Sequence, residues 1–330
     1  RKDLLDAIGY TEIPDTLEGF TKMLEDLKAA YPEMVPLTAS QTWLIANIAS
    51  AFGITGEYQL IDGKIVHITS HPNLAAYIAY LRELYAKGLL DTEMPAVSKN
   101  DMTAKWTSSK AVIMYTTWAG SETYVGTLRE LNPDMAYAVL PLLKDESGKV
   151  HAETKFGVGS YGAIPVTSQH PAEAIDAINQ MIQLDNFTEI ALGVEGVHYS
   201  LDAQGKYTLI QPAFNNEKTN SNVFISGFYR EDVYPRMWEA RLTKNAELQD
   251  IFYQFRASLL DGGTSSPIAL APAVTVVDNK GTLDAQVTDT LIAIIAGSRD
   301  ISELASLKDA WDQNGGEKIV EFYNEWYQGK

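Results

Sequence analysis

Amphipathic helical patterns alternate along this 330-residue chain with short apolar segments of strand length. In the helical patterns, apolar residues recur at three- and four-residue steps, often behind a capping residue such as Thr16. These patterns predict helices over 4–8, 17–31, 74–85, 171–186, 284–296, 302–311 and 317–327. The apolar segments predict strands over 111–115, 135–140, 161–166, 208–210 and 274–277. Such an alternation indicates an α/β fold, and the length allows two lobes.

The charge balance excludes two classes of partner. The chain carries 26 Lys and Arg against 43 Asp and Glu, a net charge of −17. Nucleic acids and anionic membrane surfaces attract proteins through clustered Lys and Arg, so neither is expected as a partner. The chain also has no cysteine, which excludes disulfides, thiolate metal sites and cysteine nucleophiles within it.

Two motifs that resemble cofactor or metal sites do not fit their surroundings. Residues 157–162 spell G-x-G-x-x-G, but Pro165 follows where a dinucleotide site requires a helix. His67 and His71 are four residues apart, yet Pro72 makes a shared helix face improbable. A strand ending in a turn, with solvated histidines, is the interpretation we adopt. The prediction is therefore no cofactor and no metal.

Large aromatic residues lie where α/β folds usually place ligands, at strand ends and crossovers. Trp118 follows the predicted strand 111–115, Trp43 lies in a loop rich in Thr, Ser and Gln, and Tyr161 lies in a glycine-rich crossover. A flat apolar face with a polar edge suits these side chains to amphipathic ligands. For each of them, burial in the core is the competing interpretation.

Several segments, in chain order, resemble a known family. They are RKDLL at 1–5 and the longer stretches 61–93, 137–149, 191–207 and 294–328. Together they resemble the extracellular solute-binding proteins (family 1, lipoprotein branch) of ABC sugar importers and, more distantly, the maltodextrin-binding proteins. The resemblance implies a two-lobed periplasmic-binding-protein-like (type II) fold that closes on a hinge. Family members carry a stretch ahead of the RKDLL-like segment, so the N-terminal part of one lobe is expected to be missing from this chain.

The resemblance also implies how the chain is divided and what it does. Residues 1–155 are expected to form an α/β lobe that makes one wall of the cleft. Residues 156–245 are expected to supply the crossover and the remainder of the second lobe, and 246–330 a mostly helical return segment. The implied protein is a monomer that captures an oligosaccharide and delivers it to the ABC permease in the membrane. It is extracellular and, at full length, lipid-anchored.

Carried over position by position, the resemblance makes Trp118 the aromatic residue that stacks on a sugar ring. Trp43 and Gln41 lie in the loop that lines the cleft, and Tyr161 lies on the strand that returns through the hinge. Polar planar side chains are expected beside the aromatic residues, because unmatched buried hydroxyl groups are costly. The candidates are Gln41, Asn47 and Glu122.

Two other classes of function stay open at this point. With 43 acidic residues, a pair of carboxyl groups for glycoside hydrolysis is easily found, so a carbohydrate-active hydrolase is one alternative. The other is a cell-surface interaction module without a small-molecule ligand. The family resemblance favours a binding protein without catalytic residues.

Overall fold

A computed structural model describes residues 1–154, 162–225, 230–260 and 262–329 of the chain. The chain divides into two compact units, the first formed by residues 1–156 with 254–330 and the second by 157–253. Their boundaries thus lie at 156/157 and 253/254, beside sequence-based boundaries at 155/156 and 245/246. The first unit is discontinuous in sequence, and the second is continuous.

The first unit combines helices with three strand pairings. Its elements are α1 (Lys2–Ala7), α2 (Leu17–Ala30), β1 (Val35–Thr38), α3 (Ala46–Ser50), β2 (Tyr58–Ile61), β3 (Lys64–His67), a 3₁₀ turn (Ile68–Ser70), α4 (Leu74–Ala86), α5 (Lys99–Thr107), β4 (Ala111–Met114), α6 (Ser121–Leu131), β5 (Ala152–Thr154), β8 (Gly263–Ser265), α12 (Lys280–Ile295), α13 (Glu303–Trp311) and α14 (Glu317–Gln328). A kink at Gly315, where φ is 115°, separates the last two helices.

Parallel pairing organises the part of this unit that carries the predicted site. β1 pairs with β4, with Val35 opposite Ala111 and Thr38 opposite Met114. On its other side, β1 is bridged in parallel at Leu90. β2 and β3 form an antiparallel hairpin, and β5 pairs in parallel with β8. The chain therefore leaves β1 and β4 at the same edge.

The core of the first unit forms where helices cover β1. Leu37 on β1 is buried, as are Leu24 and Leu27 on α2 and Tyr77 on α4. The C-terminal helices join the same cluster, for example through Leu291 on α12. Fully burying an aliphatic side chain of this size contributes about 1.5–3 kcal/mol, so residues from both ends of the sequence stabilise one core.

The second unit is smaller, with a core of its own. Its elements are α7 (Pro171–Met181), α8 (Leu184–Leu192), a β6–β7 hairpin (Tyr199–Leu201 with Tyr207–Leu209), α9 (Ala213–Glu217), a 3₁₀ segment (Ser221–Ile225) and α10 (Tyr234–Leu242). α11 (Ala246–Leu260) contains the boundary at 253/254. Phe187, Phe214 and Met237 are fully buried in this core.

Most predicted helices are confirmed, and two predicted strands are wrong. Thr16 caps α2, since its side chain accepts from Gly19 N at 3.2 Å. The helix predicted over 171–186 is two helices, α7 and α8. Residues 135–140 and 274–277 form no strand. In the first of these, Val139 N donates to Oε1 of the Gln254 side chain at 3.0 Å and not to a neighbouring strand.

The strand predicted over 161–166 falls partly outside the described residues. Tyr161 lies outside them, and Gly162–Val166 form no strand. The predicted strand over 208–210 is confirmed as β7, shifted by one residue. β1 is a strand that the sequence did not predict. Pro36 lies inside it, and proline is seldom part of a strand pattern.

The histidines at 67 and 71 correct the sequence interpretation in one respect. A strand ending in a turn is confirmed, because β3 ends at His67 and a 3₁₀ turn follows. The prediction that the two histidines are solvated is wrong, because both side chains are buried. His67 is only 1% exposed. Its ring stacks in parallel on Trp311 at a centroid distance of 3.8 Å. The stack attaches the hairpin to α13.

Charged groups face His67 from the turn before β2 and from α12. Its Nε2 lies 3.5 Å from Glu57 Oε1, too far for a good hydrogen bond. From α12, Lys280 and Asp284 pair at 2.6 Å close by. Burial lowers the pKa of His67 below its usual value of 6.5, because a charged imidazole would be desolvated here. Burial acts on Asp284 in the opposite sense and raises its pKa.

We expect His67 to make the first unit less stable in mild acid. Below pH 6.5 the unfolded chain binds a proton at this residue, whereas His67 in the folded chain stays neutral. The free energy of unfolding therefore decreases as the pH is lowered. The slope from one such group is at most about 1.4 kcal/mol per pH unit. In urea titrations between about pH 7.5 and 5.5, His67→Gln should flatten the slope. His170→Gln, at an exposed histidine, should leave it unchanged; equal slopes for all three proteins would contradict the assignment.

Candidate functional site

The carboxyl ends of β1 and β4 bring two loops of predicted site residues to one edge. Thr38 O, at the end of β1, accepts a hydrogen bond from Tyr115 N, just beyond β4, at 2.9 Å. Loop 39–45 follows β1 and carries Gln41 and Trp43, and loop 115–120 follows β4 and carries Trp118. Loops at the carboxyl ends of parallel strands form the ligand sites of many α/β proteins.

Asp91 supports this edge from the third parallel segment. Its side chain is 2% exposed. Its Oδ2 accepts from Thr38 Oγ1 at 2.7 Å and from Lys105 Nζ at 2.7 Å, while Oδ1 accepts from Glu93 N at 3.0 Å. A buried carboxylate is stable only when it is paired in this way. Sequence analysis missed Asp91, although its signal was present, an acidic residue directly after Leu89 and Leu90.

Gln41 lies exposed in the loop that follows β1. Its φ of 42° places it in the left-handed region, which residues other than glycine seldom adopt. Its backbone N donates to Met94 O at 2.9 Å, which holds this conformation. The side-chain Nε2 donates to Ala96 O at 3.4 Å. The neighbouring Ser40 fixes the loop further, since its Oγ donates to Val97 O.

Trp43 is mostly a core residue. It is 8% exposed and belongs to the main hydrophobic cluster. Tyr77 holds the backbone around it, because the Tyr77 hydroxyl donates to Trp43 O at 2.7 Å and accepts from Ile45 N at 2.9 Å. Most of the indole is therefore packed in the core, as the competing interpretation of the sequence had it. Its contact with a ligand stays a prediction.

Trp118 lies half-buried in a tight turn between β4 and α6. Its carbonyl accepts from Ser121 N at 3.3 Å, and Ser121 Oγ donates to Thr117 O at 2.5 Å. Gly120, with φ of 88°, makes the left-handed step that begins α6. Hydrogen bonds thus hold the backbone of the turn on both sides of Trp118.

Glu122 lies in the first turn of α6, where a carboxylate is favoured by the helix dipole. Its Oε2 is buried and has no hydrogen-bond partner among the described residues. Buried acceptors are normally paired, and an unpaired one costs about 1–3 kcal/mol. Glu122 is the predicted site residue with a free, desolvated acceptor.

The remaining two predicted residues are placed differently. Asn47 donates both of its amide hydrogens, to Leu140 O and Pro141 O, each at 2.9 Å. It therefore connects α3 to the segment before β5, and its part in ligand binding stays a prediction. Tyr161 lies outside the described residues.

Within the described part of the chain, no group of three His, Asp or Glu side chains is arranged to hold a metal. Nor is any helix there both long and apolar enough to cross a bilayer.

Removing the Asp91 carboxylate should destabilise the edge. Asp91→Ala leaves Lys105 and the Thr38 hydroxyl without their buried partner, so we expect a loss of about 2–3 kcal/mol in the free energy of unfolding. Glu93→Ala is the matched control, because Glu93 also pairs with Lys105 but is 72% exposed; its effect should stay below about 1 kcal/mol. Equal losses in chemical denaturation would show that burial of Asp91 does not matter.

Comparison with known proteins gives one sequence relative and many structural ones. No protein-family model matches the chain. A protein of Niallia circulans, described as an uncharacterized protein in the butB 5′ region, is 32% identical over 254 residues. The aligned part covers 76% of this chain and 98% of that protein.

Solved structures share the fold. The alginate-binding protein AlgQ2 aligns with a TM-score of 0.71 at 15% identity, over 99% of this chain and 71% of AlgQ2. The S. pneumoniae ABC-transporter substrate binding protein FusA, in complex with kestose, aligns at 0.70 and 17% identity, over 99% and 70%. A human-milk-oligosaccharide (HMO) binding solute binding protein of Bifidobacterium longum infantis aligns at 0.64 and 14%, over 99% and 72%. The expected α/β, two-lobed solute-binding-protein fold is confirmed.

Proposed function

Because this chain belongs to the same family as the uncharacterized protein in the butB 5′ region of Niallia circulans and has the fold of solute-binding proteins, we propose that it is the oligosaccharide-binding component of an ABC transporter. The structural relatives are named for binding alginate, kestose and milk oligosaccharides. The substrate class carried over from them is a carbohydrate of several units.

The observation that carries this proposal is that a half-buried indole, Trp118, and a buried acceptor without a described partner, Glu122 Oε2, lie within five residues of sequence. Trp118 offers an apolar face, and Glu122 Oε2 lacks a hydrogen-bond partner among the described residues. A pyranose has an apolar face and a ring of hydroxyl groups, so it matches both. The exposed amide of Gln41, on the adjoining loop, adds a further acceptor.

Binding in this scheme needs no catalytic group. The sugar covers the indole, its hydroxyl groups donate to Glu122 and Gln41, and the free energy gained offsets the cost of desolvating these polar groups. The ligand closes the two lobes about a hinge only through its higher affinity for the closed form. We further propose a monomer outside the cytoplasm, lipid-anchored and delivering its ligand to a membrane permease.

A panel of oligosaccharides tests the function directly. A ligand present at one hundred times its dissociation constant should stabilise the chain by about 2.7 kcal/mol, which raises the unfolding midpoint by a few degrees. Alginate, fructan and milk oligosaccharides belong in the panel because of the structural relatives. The recovered sugar should be intact by chromatography. Breakdown products would favour a hydrolase, and no shift with any sugar would remove the proposal.

Trp118 should contribute to affinity and little to stability. Trp118→Ala removes the stacking face, and we expect at least a tenfold loss of affinity, about 1.4 kcal/mol. Leu131→Ala is the control, since Leu131 is 71% exposed at the far end of α6, the helix that follows the Trp118 turn. Isothermal calorimetry with the sugar found in the panel measures both. Equal affinities would place Trp118 outside the site.

A further inference from the structure

A third loop joins the two loops that carry the predicted site residues. Residues 91–98 follow a segment that is bridged in parallel to β1, so they start at the same edge as loops 39–45 and 115–120. Ser40 Oγ donates to Val97 O at 2.9 Å, which holds the third loop against the loop that follows β1. The candidate edge is therefore formed by three loops, all of them in the first unit.

The charged side chains of these loops are all acidic. The three loops, together with the first turn of α6, contain Asp91, Glu93 and Glu122 but no Lys or Arg. A site for an anionic ligand normally presents Arg or Lys, which pair with the carboxylate or phosphate groups of the ligand. The loops of this edge thus lack the side chains that would recognise an anionic sugar.

Lys105 of α5 reaches the edge, but it is already paired. Its Nζ lies 2.7 Å from Asp91 Oδ2 and 2.5 Å from Glu93 Oε2. The next charged residues after the third loop, Lys99 and Asp101 in α5, have opposite signs and leave the balance unchanged. The Lys105 ammonium group therefore has two carboxylates beside it and offers no net positive charge to a ligand.

Glu122 makes the edge unfavourable for an anion in a second way. Its buried Oε2 accepts no hydrogen bond from any described residue. A sugar hydroxyl group can donate to this oxygen, whereas the carboxylate of a uronate is only an acceptor. Two like charges about 6 Å apart near a protein surface weaken binding on the order of 100-fold. An anionic group beside Glu122 would therefore lose a hydrogen bond and be repelled as well.

We propose that this edge selects an uncharged oligosaccharide, and that Glu122 is the specificity-determining residue that rejects sugars with a carboxylate. The inference rests on the proposed function, because it concerns the same site. It separates this chain from AlgQ2, which is named for binding alginate and shares the fold at 15% identity. Each unit of alginate carries a carboxylate, so the charges of the edge make alginate a poor ligand for this chain.

Oxidation of the sugar at its C6 position provides the test, because it converts a primary hydroxymethyl group into a carboxylate and leaves the ring unchanged. Isothermal calorimetry on the 330-residue chain compares the uncharged sugar found in the panel with its oxidised form. The oxidised form should bind at least tenfold more weakly at about 0.1 M salt. The difference should shrink at about 1 M salt, where charges are screened beyond about 3 Å. A difference caused by a steric clash would not respond to salt.

Glu122→Gln is the decisive variant, because it removes the charge and keeps an oxygen acceptor on a side chain of the same size. It should reduce the difference between the two sugars roughly tenfold, since the like charge is gone. Glu130→Gln is the matched control, at an exposed carboxylate two turns further along α6. It should leave the difference unchanged.

The outcomes separate this inference from the proposed function. Equal affinity for the two sugars, or tighter binding of the oxidised form, would overturn the inference and leave the proposed function standing. The same holds if alginate or another polyuronate is the best ligand of the panel. A difference that persists in Glu122→Gln would remove Glu122 as its cause. If no sugar binds, charged or uncharged, the proposed function is wrong and the inference fails with it.

Discussion

The candidate site depends on one short strand that is hydrogen-bonded on both sides. In β1, Leu37 N donates to Leu89 O at 3.0 Å, and Leu37 O accepts from Asp91 N at 2.9 Å. On the other side, the ladder to β4 continues to Tyr115, which donates to Thr38 O. The four residues of β1 therefore position the loops that follow β1, β4 and the segment at Leu90. Because both faces of β1 are covered, its register cannot slip without exposing the apolar residues beside it.

Asp91 places a buried carboxylate beside the end of β1. The carboxylate joins Thr38 of β1 to Lys105 of α5 across the edge. An ion pair buried this deeply has little value for stability compared with apolar packing of the same volume. What it provides is a fixed direction for the loops that leave the sheet, and a binding site gains affinity when its loops are already ordered.

The helices that the sequence predicted are present, although α5, α6, α10 and α11 were missed, and the strand predictions were less accurate. α2 and α14 have strong amphipathic patterns, and capping at Thr16 marked where α2 begins. Residues 274–277 are apolar because Val274 and Val277 pack on the core, and no strand lies beside them. β1 shows the reverse. A strand exists only with a partner, and pairing over 76 residues leaves no local trace.

The site could be predicted in part for the same reason. Trp118 was a candidate because it follows a predicted strand, and Gln41 because of the family resemblance; parallel pairing of β1 and β4 brings their two loops to one edge. The free oxygen of Glu122 depends on which neighbours surround it, which no sequence pattern reports. Likewise, the depth at which Trp43 is packed follows from Tyr77, a residue 34 positions away.

The hairpin of β2 and β3 has a consequence for how the chain acquires its structure. Ile65 N and O both bond to the side chain of Asn324, 259 residues further along. A ribosome releases these residues in order, so the last contacts of the hairpin cannot form before residue 324 has been made. The second unit is continuous and is completed earlier. Folding of the first unit is therefore expected to be slow and post-translational, because its most distant contacts close the longest loop.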